Sequence, residues 1–214
     1  MSSGGDRGQC CVTDEPFDLH PAAAAVATLV AAVRGDALGD RTPCRDYLLG
    51  DELDHLSSLT YAFAAMGDKT FDTPAAQARL QREGAGTVGR RERLPADWRD
   101  DLPRRLHALA EAWAAPSAWE GTTSPGGFTM PAAQCARVAL GEICVHGWDV
   151  ARATGLPFEL DPATAAVLRA YFEDAAPVLS TGGAGFDPPV TVPAGASDLE
   201  VAVALSGRDP AWTP

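Results

Sequence analysis

Glu142 and His146 stand four residues apart in the stretch Gly141-Glu142-Ile143-Cys144-Val145-His146-Gly147-Trp148-Asp149-Val150, inside an alanine- and valine-rich run. On a helix that spacing turns a carboxylate and an imidazole to the same side, one turn apart, as two ligands of one metal ion would be. A catalytic metal usually takes three ligands from the protein and keeps one position open, so two residues call for a third. With His146 as the reference direction, Cys135, Ala139, Val150 and Ala153 point within about 40° of it and Asp149 lies about 60° away. The pair therefore faces an apolar interior, where a lone charge costs several kcal/mol. Burial demands a partner, either a plain Glu-His hydrogen bond or a cation.

His55 is the candidate third ligand. It lies in the middle of a stretch from Leu48 to Met66, and Leu48, Leu59, Ala62 and Met66 fall within about 40° of it on a helix. Alone, such a histidine reads as a hydrogen-bonded core residue or as a ligand. Asp51, one turn earlier, either orients the imidazole through its second nitrogen or is solvated at the edge. Asp149 is a candidate to orient a ligand or to touch a substrate. Eight of the 17 basic residues lie between Arg79 and Arg105. They are either solvated charge balanced by nearby acids or guanidiniums for a substrate carboxylate, with Arg79 and Arg82 the candidates.

The elements that would position these residues are helical. Leu19, Ala22, Ala23, Val26, Leu29, Val30 and Val33 follow three-and-four spacing from about Asp18, and Gly35 and Gly39 end the run. After the turn Asp40-Arg41-Thr42-Pro43-Cys44-Arg45-Asp46, a second helix is expected over 48–66. A connection over 67–100 follows, with a short helical piece near Pro74 to Arg82 and the turn Gly84-Ala85-Gly86; connections of this length are crossovers or functional loops. The third helix is expected from Pro103 to before Pro116, with His107 beside its apolar face and exposed. A turn-rich loop through Ser124-Pro125-Gly126-Gly127 leads to the fourth helix over 131–154. Gly155 stops it, and Asp161-Pro162 starts a fifth running to about Pro177. The remainder, with Gly182-Gly183, Pro188-Pro189 and Pro193, reads as an extended connection ending in a short apolar piece, Leu199 to Leu205. An antiparallel bundle brings mid-helix positions to one level, so His55, Glu142 and His146 can converge on one cation. Two nitrogens and a carboxylate suit zinc, with iron, nickel and manganese compatible by ligand type.

The chain of 214 residues is long enough for one large domain with a substantial core. Its formal charge of -12 argues against sequence-independent binding to nucleic acid or anionic lipid. No run reaches the roughly 20 apolar residues of a membrane span, and no signal peptide is visible. The five cysteines form no CxxC pair, and Cys10 and Cys11 lie in a polar leader without periodicity. A reducing, cytoplasmic setting is expected. The domain organisation expected is a disordered leader over 1–17, a metal-binding bundle over 18–178 and an extended tail over 179–214 packing on it.

Three blocks in order, Thr42-Pro43-Cys44-Arg45-Asp46 with His55, then Gly141-Glu142 to His146-Gly147-Trp148-Asp149-Val150-Ala151-Arg152-Ala153-Thr154-Gly155, and Gly207-Arg208-Asp209-Pro210-Ala211-Trp212, resemble the actinobacterial branch of the DinB-like metal-binding bundles. That branch is similar to the N-terminal domain of mycothiol-dependent maleylpyruvate isomerase. The resemblance spans roughly residues 18–212, with Tyr47 standing where the family usually has tryptophan. It implies an all-α, four-helix bundle with a long crossover between helices two and three, here with a fifth helix and a short C-terminal extension. It also implies a divalent metal, usually zinc, on His55, Glu142 and His146, and mycothiol as thiol co-substrate. A dication favours thiolate over thiol, and thiolate is the nucleophile. The function expected is a metal-dependent thiol S-transferase or isomerase acting on an electrophilic small molecule in detoxification or specialised metabolism, as monomer or homodimer. Alternatives are a metal-dependent hydrolase that activates water, and a non-enzymatic small-molecule-binding bundle. About 35 residues follow the fifth helix, where the isomerase has a larger domain, so transfer is expected over isomerisation.

Overall fold

The computed structural model describes residues 15–84, 88–123, 129–181 and 185–214. Most of the expected leader, with Cys10 and Cys11, lies outside the described residues, as do Ala85, Gly86, Ser124 to Gly127 and Gly182-Gly183. The described elements are α1 (His20–Ala32), α2 (Leu49–Gly67), α3 (Pro74–Glu83), α4 (Trp98–Ala114), a two-residue strand pair β1 (Thr122–Thr123) and β2 (Met130–Pro131), α5 (Ala132–Thr154), α6 (Pro162–Leu179) and α7 (Asp198–Leu205). The bundle consists of α1, α2, α4 and α5, in which α4 and α5 each pack against both α1 and α2. α6 leans on α5, and α7 packs on α6. This is the all-α bundle with a long crossover that the sequence predicts.

The boundaries follow local chemistry. Asp161 accepts hydrogen bonds from the backbone N–H groups of Ala163 and Thr164, with Pro162 at the first position, and so fixes the start of α6. Gly155, at φ 68°, closes α5 in the left-handed conformation. Two expectations need correction. α4 starts at Trp98, not Pro103, because Trp98 and Leu102 are both buried, 4% and 1% exposed, and their spacing of four extends the apolar stripe a turn upstream of the proline. The C-terminal apolar piece is a helix, α7, set by a capping box in which Ser197 accepts from the Glu200 N–H and Glu200 accepts from the Ser197 N–H.

α5 is the centre of the molecule, buried along almost its whole length. Gly141 allows α6 to approach: a Cβ there would lie 2.6 Å from Cε1 of Tyr171. Glycine inside a helix costs about 1 kcal/mol relative to alanine, a cost that this close packing offsets. The crossover is tied to the first half of α2, beside His55. Asp51 accepts from the Arg91 N–H at 2.8 Å, Asp54 accepts from the Arg90 N–H at 2.9 Å and from Arg93 Nη2 at 2.8 Å, and the Tyr47 hydroxyl accepts from the Gly89 N–H at 3.1 Å. Among the described residues, no helix is long and apolar enough to cross a membrane.

Candidate metal centre

α2 presents Glu52 and His55 one turn apart, and α5 presents Glu142, His146 and Asp149. Packing of α2 on α5 brings one ligand atom each of His55, Glu142 and His146 within 4.8 Å of one another. Glu142 Oε2 lies 3.1 Å from His146 Nε2 and 3.9 Å from His55 Nε2. The two rings are perpendicular, their centroids 4.9 Å apart. The His55 and Glu142 side chains are 18% and 14% exposed and that of His146 only 5%, so the cluster opens to solvent on the His55 and Glu142 side.

The other edge of His146 fixes its tautomer. Its Nδ1 contacts a Glu52 oxygen at short range and lies 3.4 Å from Asp149 Oδ2. Carboxylates only accept, so Nδ1 carries a proton, and in the neutral ring Nε2 is a lone pair aimed at the Glu142 carboxylate. Two acceptors 3.1 Å apart need a cation between them, either a proton that makes His146 an imidazolium or a metal ion. Charge favours the second. Glu52, Asp149 and Glu142 place three carboxylates against one guanidinium, that of Arg208, which donates to Asp149 Oδ2 from Nε and Nη2 at 3.3 and 3.2 Å. With all three carboxylates ionised, a protonated His146 still leaves an excess negative charge, whereas a dication with neutral His146 makes the cluster electrically neutral. Two imidazole nitrogens and a carboxylate are also a zinc-type donor set. The residues fit a divalent ion.

The titration behaviour has the same cause. Burial pushes the Glu52 carboxyl up to about 7, against the attraction of His146. Burial opposes charge on His146, but Glu52, Asp149 and Glu142 outweigh it and hold the imidazolium well above its ordinary range. Burial, with His146 beside it, pushes His55 down to about 4, so its ring is neutral and able to act as a ligand near pH 7. Burial raises the Glu142 carboxyl, yet hydrogen bonding and attraction from His146 bring it net below its usual value.

The walls come from several segments. Tyr47 sets its ring 5.2 Å from that of His55, and Phe186 stacks on His146 at 6.1 Å while lying under the Arg208 guanidinium at 5.2 Å. Gly207 makes the Arg208 placement possible: its φ is 85°, and a Cβ there would lie 2.4 Å from Cβ of Asp187. A cavity of about 550 Å³ adjoins Tyr47 and is lined by Arg41, Thr42, Cys44, Arg45, Asp209 and Trp212 among others, so the first and third sequence blocks meet in it. Burial and the charge of Glu52 push the Cys44 thiol up to about 11, and burial pushes Cys135 up to about 12. Neither supplies a thiolate near neutral pH.

The structure thus brings His55, Glu142 and His146 together, sets Asp149 against the far edge of His146, where it can orient that ring, and places Arg79 and Arg82 elsewhere. Asp149 is fully buried and engaged by Arg208 behind His146. Arg79 donates to Glu83 at 2.7 Å and lies over the Tyr61 ring; Arg82 lines a different cavity of about 100 Å³ with Asp54, Glu83 and Arg105. Asp51 does not orient His55, since its carboxylate accepts from the backbone N–H groups of Leu48 and Arg91, and His55 Nδ1 has no hydrogen-bond partner among the described residues. Sequence reasoning missed Glu52 and the role of Arg208. A glutamate three residues before His55 on the same helix was the available signal for the first; nothing local signals the second.

Comparison with known proteins identifies the family and the fold. The family described as the mycothiol maleylpyruvate isomerase N-terminal domain matches residues 19–151. Two uncharacterised proteins of Mycobacterium tuberculosis, from strains CDC 1551 and H37Rv, are each 29% identical over 160 residues, covering 69% of this chain and 72% of their own. Crystal structures of the mycothiol-dependent maleylpyruvate isomerase and of a histidine-to-alanine mutant of it share the fold, with TM-scores of 0.50 and 0.52 at 14% identity, over 78% of this chain and 70% of theirs. The chain belongs to the mycothiol maleylpyruvate isomerase N-terminal domain family, within the actinobacterial DinB-like bundles.

Proposed function

We propose that this protein is a metal-dependent thiol transferase that joins mycothiol, or a related low-molecular-weight thiol, to an electrophilic small molecule. The observation that carries the reading is the charge and tautomer arrangement at His146. Glu52 and Asp149 hold the proton on Nδ1 and so aim Nε2, with His55 Nε2 and Glu142, at one point. His55, Glu142 and His146 would hold the ion, zinc first by ligand type, and the dication would supply the field that favours thiolate over thiol in a bound co-substrate.

The chain's own residues do the rest. Phe186 and Tyr47 shield the cluster from bulk water, which strengthens electrostatic interactions there. Arg41 and Arg45, on the wall of the larger cavity, suit a carboxylate on thiol or electrophile better than Arg79, which Glu83 already engages. In the reaction the thiol sulfur forms a bond to the electrophilic carbon, the leaving group departs with its electron pair, and the thiol proton balances it. No thiol of the described chain competes, because burial keeps Cys44, Cys135 and Cys144 protonated.

The test is turnover of a panel of electrophiles by zinc-loaded protein with and without mycothiol. Consumption of both mycothiol and electrophile, abolished in His146→Ala, supports transfer. Hydrolysis at the same rate without thiol would replace it with the hydrolase, and a protein that binds mycothiol but turns over nothing would be a binding bundle.

A further inference from the structure

We infer that the chain carries a second divalent-metal site, on its surface, built from His20, His107 and Glu111. Its donors repeat those of the internal cluster, two imidazoles and one carboxylate, and one helix again supplies a histidine and a glutamate four residues apart: His107 and Glu111 on α4. His20, at the first turn of α1, completes the set from the neighbouring helix. Glu111 Oε1 lies 3.0 Å from His20 Nε2 and 3.8 Å from His107 Nε2, and all three ligand atoms lie within 4.8 Å of one another. A tetrahedral ion with bonds of about 2.0–2.1 Å sets its donors about 3.3 Å apart. Only a modest side-chain rotation separates the observed positions from that geometry, and His107, with 71% of its side chain exposed, is free to make it.

Orientation distinguishes this group from a chance surface cluster. Asp18 Oδ1 accepts from the His20 backbone N–H at 2.9 Å and sits 2.7 Å from His20 Nδ1. In the neutral ring the carboxylate thereby holds the proton on Nδ1 and leaves Nε2 as the lone pair directed at Glu111, the arrangement that fixes metal-ligating histidines. The donor chemistry selects zinc, nickel or copper over calcium or magnesium. Three protein ligands at the surface leave at least one coordination position to solvent, and a bound ion would clip the start of α1 to α4. The inference is independent of the internal site, which shares no residue with it.

Zinc is titrated into metal-free full-length protein and into His107→Ala, Glu111→Gln, His146→Ala and His107→Ala/His146→Ala. The expected result is a weaker equivalent beyond the tight one in the parent, retained in His146→Ala, and lost in His107→Ala and in the double variant. Zinc should shift the His20 and His107 ring resonances together. If the internal site alone fails, the parent still shows the weaker equivalent and His107→Ala removes it. Zinc binding by His107→Ala and Glu111→Gln indistinguishable from the parent, or ring resonances unmoved by zinc, would overturn the surface site. Both substitutions lie on an exposed helical face, so they leave the fold, read by circular dichroism, unchanged.

Discussion

Two clusters in this molecule contain the same ligand types, two histidines and a glutamate, and differ in nearly everything around them. The inner one sits between α2 and α5 with His146 buried, backed by Glu52 and Asp149, with Arg208 closing the charge balance. The outer one sits on α1 and α4 with His20, His107 and Glu111 at 37%, 71% and 59% side-chain exposure, backed by Asp18 alone. Donor identity sets which ions fit. Environment sets how tightly the geometry is held before an ion arrives, how strongly charge acts there and how freely solvent and ion exchange. A site that activates a thiol needs the first kind of environment, and a structural clip is content with the second.

The sharpest way to break the inner half of the comparison is Arg208→Met, which leaves the Asp149 carboxylate buried without its guanidinium. Breaking such a pair costs about 3–5 kcal/mol; denaturant unfolding should show a loss of that order, and a change near zero would mean that the Arg208 contact with Asp149 contributes nothing to the fold. Next is Glu52→Gln, which keeps shape but weakens the hold on the His146 tautomer. Loss of such a supporting contact lowers metal affinity about 10–100-fold, so competition with a zinc indicator should show that drop at the inner site and none at the outer. At the outer site, Asp18→Asn should reduce zinc affinity only several-fold, because Asp18 and His20 are both solvated and the amide oxygen can still accept from Nδ1. The smallest effect is on stability: His107→Ala in metal-free protein should change unfolding free energy by no more than about 0.5 kcal/mol, as exposed substitutions do. A larger loss would show that the outer group is held together without metal.

Much of this was legible in the sequence, for identifiable reasons. Glu142 and His146 announce themselves because i,i+4 spacing on a strongly apolar helix is a local signal, and the apolar stripe around His55 is local too. Glu52 escaped because it lies to one side of that stripe and its significance depends on α5, 94 residues away. Arg208 meets Asp149 across 59 residues and through a left-handed glycine turn, which periodicity does not reveal. The start of α4 was misplaced because proline is a start signal only when the apolar stripe does not continue upstream, and here Trp98 and Leu102 continue it. α7 reads only as a short apolar piece closing an extended tail, because eight residues are too few to show helical periodicity; the Ser197-to-Glu200 capping box was the available signal. The Arg79 and Arg82 expectation drew on basic residues that are near in sequence to the crossover, whereas Glu83 takes up Arg79 locally.

The account rests on a divalent ion held by His55, Glu142 and His146. The most direct measurement is a calorimetric zinc titration of metal-free protein beside folded Glu142→Gln, read together with elemental analysis of protein purified without chelator. The account predicts a single tight equivalent in the parent that disappears in Glu142→Gln while any weaker equivalent stays. A parent protein with no tight equivalent, or a Glu142→Gln protein that binds zinc as tightly as the parent, would contradict it.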